Sequence, residues 1–110
     1  MKQMSIWILC AICCVVISTA KADEGETIFK SQGCLSCHKK DSASKVNPSL
    51  TEIAAAYQGK AKQLIKYLQG EAEAIVKPEK ASLMKRHIEK TKKLSDADRK
   101  ALADYLLGQQ

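Results

Sequence analysis

The sequence predicts an all-α domain of about four short helices. Apolar residues recur at helical spacing in segment after segment, no stretch alternates as a half-buried strand would, and glycines fall where helices should end. Between the first two helical segments lies Cys34-Leu35-Ser36-Cys37-His38, a C-x-x-C-H sequence whose chemistry bears on the rest of the chain.

Near the start of the chain of 110 residues Lys2 supplies a positive charge, and after it come twelve residues without charge from Ile6 to Ile17 and small residues at alternate positions in Ser18-Thr19-Ala20-Lys21-Ala22. This is the pattern of a secretory signal peptide over residues 1–22, with cleavage after Ala22. The rival reading is an uncleaved membrane anchor from Met4 to Ala20. Cleavage would remove Cys10, Cys13 and Cys14, leaving Cys34 and Cys37 as the only thiols and no disulfide to make. It also removes Lys2 and Lys21, so the net charge falls from +6 to +4 in a mature domain of 88 residues, 23–110. One domain of that size has too little apolar surface to form a comfortable core alone, so the chain without a cofactor should be poorly folded.

The first helix is expected over Asp23–Ser31, with acids in its first turn, Ile28 and Phe29 as apolar contacts, and Gly33 as its left-handed terminator. Lys39 to Val46 is a polar loop ending at Asn47-Pro48, and Ser49-x-x-Glu52 looks like a capping box opening a second helix with Leu50, Ile53, Ala54 and Tyr57 on one face. After Gly59, the spacing of Ala61, Leu64, Ile65 and Leu68 predicts a third helix, ended by Gly70. Glu71 to Pro78 reads as an acidic turn and linker, because Pro78 pushes Lys77 out of the helical region. The Lys80–Lys93 region carries Met84 and His87. A last helix starts at Ser95, with Asp96 and Asp98 in its first turn and Ala101, Leu102, Tyr105 and Leu106 on one side, and stops at Gly108.

Two thiols three positions apart can each bond a different vinyl group of one porphyrin, leaving the next residue's imidazole beneath the iron. Cys34 and Cys37 are thus expected to anchor one covalent haem c, with His38 as its proximal ligand. A structural zinc site would want a second Cys or His pair, and beyond residue 38 the chain offers His87 and no further cysteine, so zinc held by Cys34, Cys37, His38 and His87 ranks well below haem. A redox dithiol would belong beside a βαβ pattern, and none is present. Met84 is the only thioether left after signal cleavage and is the expected distal ligand. His87, one helical turn on, is the competitor. Its neighbours Lys85, Arg86, Glu89 and Lys90 suggest a solvated surface instead.

With these motifs the chain resembles the small bacterial class I cytochromes c of the c551/c552 type. The matching residues are Phe29 five before Cys34, Asn47-Pro48-Ser49-Leu50, Ala54-Ala55-Ala56-Tyr57, Lys66-Tyr67-Leu68, and Leu94-Ser95-Asp96 leading into Leu102-Ala103-Asp104-Tyr105-Leu106. The resemblance implies a class I cytochrome c fold wrapped around one haem. It implies also that Phe29 and Tyr105 pack where the first and last helices cross, and that the Pro48 carbonyl accepts a hydrogen bond from His38 Nδ1. Two positions depart from the family's pattern: Asn47 stands where glycine is usual, and Lys85-Arg86-His87 where prolines often come after the ligand methionine.

A six-coordinate haem leaves no vacant position for a substrate, and no acid, base or nucleophile constellation accompanies it. The expected function is single-electron transfer rather than catalysis, by a monomeric periplasmic carrier. Its partners would be redox proteins: a quinol-oxidising complex or periplasmic dehydrogenase on one side, a terminal oxidase or reductase on the other. Lys39, Lys40, Lys85, Arg86, Lys90, Lys92 and Lys93 could ring the haem edge and steer the carrier toward acidic faces. No nucleic-acid motif accompanies the charge. The alternative function is a haem-based module that binds or senses a small gas at a weakly held sixth position.

Overall fold

The computed structural model describes residues 20–108, with side chains from residue 24 onward. Residues 1–19, on which most of the expected signal peptide and Cys10, Cys13 and Cys14 fall, lie outside the described residues. Among the described residues there are five α-helices: α1 (Ala20–Ser31), α2 (Leu50–Ala56), α3 (Ala61–Leu68), α4 (Lys85–Thr91) and α5 (Asp96–Leu107). Two stretches of 3-10 helix, Cys34–Ser36 and Pro78–Met84, complete the regular structure, and there is no strand among the described residues. No helix among them is long and apolar enough to cross a membrane.

Local chemistry accounts for the ends of these elements. Gly33 takes φ 77°, a left-handed conformation that lets the chain leave α1 and turn at once into the cysteine motif. Ser49 caps α2 by accepting a hydrogen bond from the Glu52 N–H at 3.1 Å, and Ser95 caps α5 through the Asp98 N–H at 3.1 Å. Helix α1 covers the expected Asp23–Ser31 and includes Ala20-Lys21-Ala22 as well.

The larger difference lies in the Lys80–Lys93 region, where about four helices become five. Pro78 does remove Lys77 from the right-handed helical region, but into a left-handed conformation (φ 48°, ψ 58°) rather than an extended one. Pro78 then serves as the first residue of a 3-10 stretch that runs through Met84 and passes directly into α4. Charged residues at most positions of α4 hide its apolar side from a periodicity count, since Ile88 and Thr91 alone supply it.

The core is built from α1, α2, α3 and α5 through Phe29, Leu50, Tyr57, Leu64, Leu68, Leu102 and Leu106. As the resemblance implied, the Phe29 and Tyr105 rings meet where α1 crosses α5, centroids 5.4 Å apart and tilted by 51°. Gly25 makes that crossing close: a Cβ there would lie 2.3 Å from the Ala101 carbonyl oxygen. Arg99, on α5, is buried and spends its guanidinium on the end of α4. It donates to the carbonyls of Thr91, Lys92 and Leu94 at 3.2, 2.9 and 2.7 Å and to Asp96 at 2.8 Å. Thr91 adds a buried bond from its hydroxyl to the Leu68 carbonyl at 2.6 Å, tying α4 to the end of α3.

Candidate haem site

The motif residues are presented by the 3-10 turn that comes after Gly33. His38 N–H donates to the Cys34 carbonyl at 2.9 Å and Cys37 N–H to the same oxygen at 3.2 Å, folding both thiols and the imidazole onto one tight turn. Cys34 is half-buried, Cys37 is exposed, and the two are not joined in a disulfide. Burial pushes the Cys34 thiol above its ordinary value, and a backbone hydrogen bond and the Lys90 charge offset part of the rise.

His38 is only 7 % exposed, and its ring is held by Nδ1 against the Pro48 carbonyl at 2.9 Å. That bond, which the family resemblance implied, makes Nδ1 the protonated nitrogen and leaves Nε2 as the lone-pair donor. The loop that carries Pro48 is itself fixed. Ser44 Oγ accepts from the Asn47 N–H at 2.8 Å, while Leu50 N–H reaches the Lys39 carbonyl at 2.8 Å and Thr51 N–H the Lys40 carbonyl at 3.1 Å. Lys77 closes the arrangement from the other side, bonding the Ser44 carbonyl and lying 4.0 Å from the Glu52 carboxylate.

Beside this turn the helices leave a cleft enclosing about 790 Å³, open solvent at its mouth included. Its walls are mostly apolar, with Phe29, Ile53, Leu64, Leu68, Leu102 and Leu106 among them, and Cys34, His38, Pro48, Met84 and His87 also face it. A smaller adjoining space of about 310 Å³ is bounded by both cysteines, His38, Leu83, Met84 and His87. A cleft walled mostly by apolar side chains, with an imidazole and a thioether turned into it, suits a large flat apolar ligand. Tyr57 and Tyr67 also line it, and burial raises both phenols above their ordinary value.

The residues fit a haem. Two thiols sit beside an apolar cleft, an oriented imidazole offers a free Nε2, and a thioether faces the same space. No group of three or more His, Cys, Asp or Glu side chains gathers to hold a metal ion among the described residues, so the zinc reading gains no support from the geometry.

The Cytochrome c family model matches residues 22–110. The chain belongs to the cytochrome c family. No curated protein matches it. As a member of that family the protein carries one haem c, covalently bound through the Cys34 and Cys37 pair with His38 next to it, and it is a haem-binding electron carrier in a family of electron carriers rather than enzymes. Its all-helical architecture is that of a class I cytochrome c fold. Redox proteins are its general class of partner.

The structure brings all five predicted site residues, Cys34, Cys37, His38, Pro48 and Met84, to the two adjoining spaces. It corrects the placement of His87, expected on a solvated surface but found half-buried and facing both spaces, because the 3-10 stretch turns that side of α4 inward while Lys85, Arg86, Glu89 and Lys90 remain exposed. Sequence reasoning missed Arg99 and Thr91, which hold α4 in place, and Lys77, which bridges to the Pro48 loop. Nothing in the spacing of these polar residues separates them from ordinary surface. Gly25 did carry a signal, since a glycine inside a helix costs stability unless something approaches it closely.

Proposed function

We propose that the protein is a periplasmic monohaem cytochrome of the c551/c552 type, made with a signal peptide over residues 1–22 that is cleaved after Ala22. His38 and Met84 would be the two residues that ligate its iron. The observation that carries this reading is that His38, anchored through Pro48, and Met84 line one apolar cleft beside the cysteine pair.

Haem bound there supplies a one-electron ferric/ferrous couple. The chain's own residues do the rest. Cys34 and Cys37 hold the porphyrin by its edge, Pro48 keeps the His38 ring aimed and raises its basicity, and the Met84 thioether favours the reduced state, which implies a comparatively high potential. Phe29, Leu64, Leu68 and Leu102 keep water from the cleft. Lys39, Lys40, Lys85, Arg86, Lys90, Lys92 and Lys93 are all exposed, which supports a basic docking face toward acidic redox partners such as a quinol-oxidising complex, a periplasmic dehydrogenase, or a terminal oxidase or reductase.

The test is to express the precursor with a periplasmic haem-attachment system, weigh the product, and record oxidised and reduced spectra with and without carbon monoxide. A mass lacking residues 1–22, a methionine-to-iron charge-transfer band and no response to carbon monoxide are expected. A rapid carbon monoxide shift would instead favour a gas-binding module. Cys37→Ala and His38→Ala should both impair maturation, and normal holo-protein from the His38 variant would rule it out as the proximal ligand.

A further inference from the structure

His87 Nδ1 is buried with no hydrogen-bond partner among the described residues. No hydrogen bond from Nδ1 to those residues therefore fixes the His87 ring, which lines the cleft, and because an unpaired buried nitrogen is costly the ring can recover that cost by turning toward a partner there. Met84 lies three residues earlier, at the junction where the 3-10 stretch passes into α4, and both side chains face the same two spaces. Thr91 and Arg99 pin α4 from α3 and α5, so the backbone that carries His87 is held beside the cleft. Either nitrogen of a neutral imidazole can ligate a metal.

We propose that His87 is a second distal ligand of this cytochrome, which takes the sixth iron position when the Met84 thioether does not hold it. The inference rests on the His38/Met84 reading above. The exchange breaks one sulfur–iron bond and forms one nitrogen–iron bond, with no electron transferred and no proton moved when the imidazole is neutral. An imidazole stabilises ferric iron better than a thioether does, so the exchanged form has the lower potential and still presents a closed site.

The experiment compares holo-protein of the wild type with Met84→Leu, Met84→Ala, His87→Ala and the Met84→Leu/His87→Ala double variant, by spectrum, midpoint potential and carbon monoxide binding. Met84→Leu conserves packing volume, so its behaviour reports ligation and not unfolding. Both single Met84 variants should stay six-coordinate, show a lowered potential and fail to respond to carbon monoxide, while the double variant binds it at once. His87→Ala alone should keep the methionine-to-iron band. Prompt carbon monoxide binding by Met84→Leu, equal to that of the double variant, would overturn the role of His87 and leave the His38/Met84 reading intact. A wild type without the methionine band, whose closed spectrum is lost in His87→Ala, would overturn Met84 as the resident ligand while supporting ligation by His87. A wild type that itself binds carbon monoxide promptly would overturn both.

Discussion

Two phenols in the wall of the cleft show how a single residue couples folding to solution conditions. Burial raises both Tyr57 and Tyr67, and at Tyr57 a backbone hydrogen bond at Ile75 offsets part of the rise. The folded state keeps these phenols neutral at a pH where the unfolded chain would ionise them. Their contribution to stability is therefore complete below a pH of about 10 and is lost as pH rises through the higher folded value. Tyr67→Phe removes one such group, so its melting temperature should fall less steeply than that of the wild type above pH ~10. Thermal melts of both proteins across that range check this, since lysine deprotonation is common to the two. Parallel curves would exclude Tyr67 as a contributor. At the same scale, Cys37 and His38 illustrate a division of labour within one turn: the exposed thiol is available for attachment, while the imidazole beside it is buried and already oriented.

Among the elements, the packing of α1 on α5 and the anchoring of α4 decide the shape of the cleft. Alanine at Gly25 would gain about 1 kcal/mol of helix propensity. Its Cβ would, however, lie 2.3 Å from the Ala101 oxygen and 2.6 Å from Tyr105 Cβ, and forcing the helices apart costs about 1–3 kcal/mol. Gly25→Ala should therefore destabilise the holo-protein, seen as a lower urea midpoint with an unchanged slope. A neutral or raised midpoint would mean that α1 moves without cost. Arg99 acts on a different element. Its guanidinium satisfies three carbonyls at and beyond the end of α4, where a positive charge also suits the helix dipole. Arg99→Met keeps the aliphatic stem but leaves those carbonyls unpaired, at a cost of about 1–3 kcal/mol. Since α4 begins directly after Met84, the variant should also bind carbon monoxide more readily than the wild type. A stability loss without that change would mean that Arg99 supports the fold alone.

For the whole molecule, the large cleft implies that cofactor and chain complete one core between them. The side chains that line it, Phe29, Leu64, Leu68 and Leu102 among them, are also the centre of the hydrophobic core. A domain this small buries too little apolar area to tolerate that cleft filled by water. A Cys34→Ala/Cys37→Ala chain expressed without haem should thus lose cooperative melting and near-ultraviolet circular dichroism, while retaining part of its far-ultraviolet helical signal. A sharp, native-like melt of that chain would show that the helices pack without the cofactor.

Features that depend on local spacing and local chemistry were readable from the residues alone. The C-x-x-C-H turn, the caps at Ser49 and Ser95, the left-handed Gly33, and the amphipathic stripe of α3 are all short-range relations along the chain, and each is where the residues put it. The Phe29–Tyr105 contact and the Pro48–His38 bond are long-range, and they were legible only through the resemblance to a family. Tertiary packing settled the remainder. It turned the charged Lys85–Thr91 segment into a helix with His87 on its inner side, buried Arg99 against the end of that helix, and drew Lys77 across to the Pro48 loop. The physical reason is common to all three: whether a polar side chain is solvated or buried depends on which backbone carbonyls and which cleft the rest of the chain brings to it, and hydrophobic periodicity carries no record of that.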